Sequence, residues 1–86
     1  MSDVRLKTNI SRIDNPLNKL MEIEGYTYNW KDNITEKKQM GVIAQQLEKV
    51  GLTDIVSGTE DNKAVNYLAL IPLLIEAVKE INNKIK

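Results

Sequence analysis

Residues 67–86 read YLALIPLLIEAVKEINNKIK, and the reading of this stretch decides the fold. Ile71, Leu74, Val78, Ile81 and Ile85 recur at steps of three and four, the spacing of a coiled-coil seam. A second apolar row, Leu70, Leu73 and Ala77, runs to one side of it. A helix with two apolar faces needs two partners. The expectation is that one face packs on the chain's own body while the other meets copies of itself. Isoleucine is frequent at both core positions, which shifts preference from two strands toward three or four. The alternative is an ordinary C-terminal helix buried in a monomer. Against that, Lys79, Glu80, Asn82, Asn83, Lys84 and Lys86 leave only a narrow apolar stripe in the last turns, and so short a chain offers little body to cover it. Pro72 has no N–H to donate, so the helix either begins near Ile71 or kinks there. Asn66 is a candidate N-cap for an opening turn over 67–70.

Working outward, 86 residues make one domain at most, and a domain of that size buries only about 60% of its unfolded surface. Twelve basic residues balance twelve acidic ones, so there is no electrostatic case for nucleic acid or an anionic membrane. The chain has no cysteine and no histidine. That argues against disulfides, a transition-metal site and the commonest general base, and no cofactor is expected. No apolar run is long enough to span a bilayer.

Ahead of the helix, Val4 and Leu6 alternate with Asp3, Arg5 and Lys7, as in a short strand or extended arm. Ile10 and Ile13 begin a helical spacing. Asn15-Pro16 marks a helix start, with Leu17, Leu20 and Met21 inward and Ile23 following, and Gly25 suits an exit at positive φ. Residues 25–30, GYTYNW, read as a strand with Tyr26, Tyr28 and Trp30 on one face, more often core than ligand platform. A polar loop over 31–39, with Asp32-Asn33 as its turn and Glu36, Lys37 and Lys38 at its tip, leads to a second strand, 40–44, in which Gly41 permits a bulge or the close approach of another backbone. A short helix over 44–50 turns Ala44, Leu47 and Val50 inward and ends at Gly51. Residues 54–56 and 63–65 read as a second hairpin around the polar loop 57–62, where Glu60 and Asp61 form a solvated turn. The fold class is α+β: small antiparallel hairpins and short helices, followed by a long C-terminal helix that forms a trimeric coiled coil. The globular part spans 1–66 and the trimerisation helix 67–86.

One pair is a candidate nucleophile and base. Ser2 carries a hydroxyl, and Lys7 can serve as its base if burial or a cationic neighbour such as Arg5 lowers the amine's proton affinity. Spacing alone equally describes two solvated side chains on a polar arm.

The blocks SDVRLKTNI (2–10), NPLNKLMEIEGYTYNW (15–30), KQMGVIAQQLEKV (38–50) and AVNYLALIPLLIEAVKEI (64–81) follow one another in an order that resembles the C-terminal intramolecular chaperone domain of phage tail spikes and tail fibres. This is the self-cleaving Ser–Lys peptidase family also found on neck appendage proteins, endosialidases and the myelin regulatory factor. The resemblance implies a homotrimer that gathers three chains, sets their register and assists the upstream β-rich shaft of the same polypeptide. It then implies a single-turnover cut at the serine junction, during virion assembly in the host cytoplasm, that releases the domain from the mature tail. Ser2 and Lys7 match the family's nucleophile and general base, with Asp3 and Arg5 in supporting positions. Ile71, Leu74, Val78, Ile81 and Ile85 would form the trimer interface. Met1 reads as an added initiator on a domain corresponding to the released product. The short segments at 31–39 and 57–62 lack the long arms with which some relatives grip the shaft. The alternatives are a non-cleaving trimeric cap or adhesion knob, and a monomeric binding module.

Overall fold

Leu73 and Ala77 are buried on one face of the C-terminal helix α3 (Leu70–Lys84), and the only other fully buried side chain among the described residues is Leu47. The computed structural model describes residues 1–32 and 37–86. The expected Asp32-Asn33 turn and the loop tip at Glu36 lie partly outside them.

The second apolar row of α3 does face the body. It packs against α1 (Pro16–Met21), whose Leu17 and Leu20 are half-buried. Pro72 is the third residue of α3, inside the first turn, where an amide N–H has no intrahelical acceptor, so its ring costs no hydrogen bond. A single 3₁₀ turn, Tyr67–Ala69, leads in. Asn66 stands at its start, but its side chain makes no cap; its backbone oxygen accepts the Ala69 N–H at 3.2 Å instead. Asn15 likewise precedes α1 in a left-handed conformation (φ 47°, ψ 48°) without a side-chain cap. Glu80 of α3 takes over that role: its Oε1 accepts the Leu17 N–H at 3.3 Å, a long-range cap no local pattern encodes.

Two antiparallel hairpins lie between α1 and α3. β1 (Tyr26–Tyr28) pairs with β2 (Gln39–Gly41), Tyr26 opposite Gly41 and Tyr28 opposite Gln39. β3 (Val56–Thr59) pairs with β4 (Asn62–Val65), Val56 opposite Val65 and Thr59 opposite Asn62. This second hairpin departs from expectation. Asp54 and Ile55 belong to a 3₁₀ turn, Thr53–Ile55, and the strand instead takes up Ser57, Gly58 and Thr59, so the expected six-residue loop shrinks to a turn at Glu60 and Asp61. Between the hairpins, α2 (Ala44–Lys49) sends Leu47 inward. It ends in a Schellman pairing: the Leu52 N–H donates to the Leu47 oxygen at 3.0 Å and the Gly51 N–H to the Glu48 oxygen at 3.1 Å, with Gly51 at φ 86°. Gly25, expected at positive φ, has none; Glu22 ends α1 in an ordinary right-handed conformation. Ile10 and Ile13 are not helical, and Ile10 is exposed.

Polar side chains tie these pieces together. A Cβ at Gly41 would collide with the Tyr67 hydroxyl, which accepts the Val42 N–H at 3.0 Å. Gln46 donates to the Tyr26 hydroxyl at 2.9 Å and accepts the Glu24 N–H at 3.2 Å, joining α2 to the entrance of β1. Lys63 Nζ lies 2.8 Å from Glu48 Oε2, linking β4 to α2. The hydrogen bond to Glu48 raises the Lys63 pKa above 10.5, so this link is complete below that pH and is lost as pH rises through the higher folded value.

The single chain leaves much apolar surface in water. Its accessible area is 7445 Å², against about 5,200 Å² for a compact monomer of this mass. Its radius of gyration is 15.5 Å, against about 12 Å for a compact domain of 86 residues. With so few buried side chains, each one counts. Leu73→Ala should lower unfolding stability by about 2–5 kcal/mol. Urea unfolding at one fixed chain concentration measures this, and an unchanged midpoint would mean Leu73 is not the anchor between α1 and α3.

Candidate functional site

Ser2 and Lys7 are five residues apart, and an extended chain would separate them by roughly 17 Å. The structure brings Lys7 Nζ to 2.9 Å from Ser2 Oγ. The cause is local. The expected strand or extended arm is instead a 3₁₀ turn over Val4–Leu6, closed by the Leu6 N–H to the Asp3 oxygen and the Lys7 N–H to the Val4 oxygen, both at 3.1 Å. Asp3 caps it: Oδ1 accepts the Arg5 N–H at 2.9 Å. The same carboxylate receives the Arg5 side chain, with Nη2 to Oδ2 at 2.7 Å. A capping aspartate thus overrides the apolar alternation that reads as a strand, because the side chain satisfies an N–H that the extended form leaves to water.

Ser2, Asp3, Arg5 and Lys7 are therefore one constellation, all exposed in the single chain. Asp3 and Arg5 do not touch Ser2 in any hydrogen bond; they shape the turn that presents Ser2 to Lys7. The hydrogen bond from the Arg5 side chain, followed by that from the Arg5 N–H, holds the Asp3 carboxyl below its ordinary 3.8, and the side-chain bond raises the Arg5 guanidinium above its ordinary value. Chemically the pair offers a hydroxyl nucleophile with an amine in hydrogen-bond reach, the arrangement needed to pass the hydroxyl proton to nitrogen as oxygen attacks a carbonyl. Among the described residues no group of carboxylates converges on a metal-sized position, and no helix is long and apolar enough to cross a membrane.

The five seam residues are also brought to one open face. Ile71 is 52% exposed, Leu74 45%, Val78 63%, Ile81 45% and Ile85 79%, with Ile75 beside them at 50%. The face that read as core in the first hairpin is open too. Trp30 packs edge-on against Tyr28, ring centres 5.1 Å apart, yet remains 59% exposed. These rings line a cleft of about 770 Å³ together with Val42, Val65 and Tyr67. Among the described residues each hairpin is a two-stranded sheet, and the aromatic face of the first is left partly open.

The carboxylate form of Asp3 is the one the turn binds. The turn's stabilisation is therefore full above pH 3.8 and lost as pH falls through the lower folded value. Carboxyl titration followed by NMR should place Asp3 below 3.8 in the wild type and move it up in Arg5→Gln; equal values in both would show that the pair is not formed in solution.

The family described as chaperone of endosialidase matches residues 2–57, from the Ser2–Lys7 turn into β3. The long tail fiber protein Gp37 of Enterobacteria phage K3 is 37% identical over 93 residues, which cover 99% of this chain and 7% of that protein. The protein of that name from Enterobacteria phage M1 is 37% identical over 94 residues, 99% of this chain and 37% of its own length. That of Salmonella phage S16 is 36% identical over 95 residues, 94% of this chain and 13% of its own. The chain thus spans well under half of each of these relatives, and α3 lies beyond the family match but within the stretch shared with the first two. No solved structure matches the chain.

Proposed function

The chain belongs to the chaperone-of-endosialidase family, and from that premise we propose that it is the intramolecular chaperone of a phage tail fibre, which trimerises through α3, assists folding of an upstream β-rich shaft and then releases itself by serine autoproteolysis. The observation that carries the chemistry is the 2.9 Å approach of Lys7 Nζ to Ser2 Oγ on a turn built for it by Asp3 and Arg5. Ser2 Oγ attacks a peptide carbonyl at the serine junction and forms an ester. Lys7 Nζ takes the hydroxyl proton and delivers it to the departing amine, and water then hydrolyses the ester.

The trimer is supported by area and pattern together. The chain exposes about 2,200 Å² more than a compact monomer would, and the open stripe on α3 repeats at coiled-coil spacing with Ile in both kinds of core position. On this reading the domain acts in the infected cell during tail assembly.

Residues 2–86 placed after a fibrous shaft should be cut in the wild type and stay whole in Ser2→Ala and Lys7→Met, as read on denaturing gels; cutting of either variant at the wild-type rate removes the dyad. Val78→Asp should abolish both the three-chain mass in sedimentation and the cut, although it lies far along the sequence from Ser2. A wild-type fusion that is trimeric but never cut would favour the permanent cap.

A further inference from the structure

The cleft between the two hairpins is aromatic, open and unassigned by the chemistry above. Tyr26, Tyr28 and Trp30 line it from the first hairpin, Val65 from the second, with Val42 and Tyr67. Exposed tryptophan and tyrosine around a concavity have the composition of an interface hot spot.

Three observations bear on its occupant. Tyr67 lines the cleft, is 47% exposed, and begins the 3₁₀ turn that leads into α3, so the cleft lies at the approach to that helix. The seam by itself covers too little: at roughly 60–120 Å² per fully buried aliphatic side chain, its five partly exposed residues and Ile75 beside them account for only a few hundred of the surplus 2,200 Å² or so. And the N-terminal turn is a self-contained unit whose shaping hydrogen bonds lie within residues 2–7, yet it holds Val4 and Leu6 in water at 67% and 70% exposure. Every chain carries both the exposed turn and the open cleft, so association between copies pairs them one to one.

We infer that the cleft receives the N-terminal turn of a second copy of this chain, Val4 and Leu6 entering against Tyr28, Trp30 and Val65. This rests on the trimer proposed above and deepens it, because the neighbour then contributes surface to the cleavage site. Seating the turn also removes water from around Ser2 and Lys7, the condition under which a lysine amine gives up its proton most readily and becomes a base. Scission would then wait for assembly because the dyad is complete in geometry but not in environment until a neighbour encloses it.

The chain has no cysteine and one tryptophan, which makes the test direct. In residues 1–86 at trimer-forming concentration, Trp30 should lose most of its quenching by acrylamide, and the double variant Val4→Ser, Leu6→Ser should restore it while sedimentation still gives three chains. Mixing a tagged Leu6→Cys chain with an untagged Ala64→Cys chain and oxidising should yield a tagged–untagged disulfide pair on non-reducing gels. Trimers that leave Trp30 quenchable, or that give no mixed disulfide, overturn the inference and leave the trimer standing. A disulfide forming within a single Leu6→Cys, Ala64→Cys chain also overturns it. Protection of Trp30 only when a shaft is fused upstream would assign the cleft to the shaft instead. Single chains at every concentration would remove the trimer and this inference together.

Discussion

Everything in this structure depends on the division of α3 into two faces. Leu73 and Ala77 are buried against α1, while Ile71, Leu74, Val78, Ile81 and Ile85 are left in water a quarter to a half turn away. Hydrophobic burial is the main favourable term in folding, and a chain with so small an interior holds little of it in reserve. The single chain is therefore assembled largely by polar ties: Glu80 capping α1, Gln46 joining α2 to β1, Lys63 joining β4 to α2. Such ties position elements well but stabilise weakly where they are exposed. The open face of α3 is one place where an apolar contribution is still available, and on the proposed reading other chains collect it.

The candidate dyad follows the opposite logic. Its geometry owes nothing to the rest of the fold, because Asp3 caps the turn, Arg5 fastens the cap, and Ser2 and Lys7 meet as a consequence. A site built from six consecutive residues forms as soon as those residues exist. If geometry were sufficient, it would act before any partner had arrived. The separation of a locally built site from a globally built face is what makes control by assembly physically reasonable.

Much of this was legible in the sequence because it rests on periodicity. The two rows on α3 are read directly from spacing, and the row expected to face inward does so. Gly41 was legible as a position where bulk is excluded, but what approaches it is the Tyr67 side chain rather than another backbone. The rest was not, for definite reasons. The Val4–Leu6 alternation suggested a strand because the capping strength of Asp3 depends on an Arg5 contact that period does not encode. The second hairpin shifted because Ser57 and Gly58 carry little strand preference of their own, and the three residues 57–59 are held by pairing with Asn62, Lys63 and Ala64. Asn15 and Asn66 both stood where caps belong, but Glu80, distant in sequence from α1, supplied the acceptor that Asn15 did not. The aromatic face of β1 read as core because such a face is normally covered by another layer, whereas Tyr26 and Trp30 stay exposed in the single chain.

On the proposed reading, the order of events has a thermodynamic reason. Joining three chains at one end makes pairing of their upstream segments effectively intramolecular, and the gain is largest for the long-range β contacts that are slowest to find each other. That gain lasts only while the joint holds. Once the joint is cut, a shaft that unfolds loses the device that assembled it, so its persistence becomes a matter of unfolding rate rather than equilibrium. A cut made too early would forfeit the gain, and a joint never cut would leave the shaft free to exchange reversibly with its unfolded chains. A nucleophile that is positioned from the start but enclosed only by a neighbouring subunit resolves both demands, since on this reading the enclosing cleft belongs to another chain.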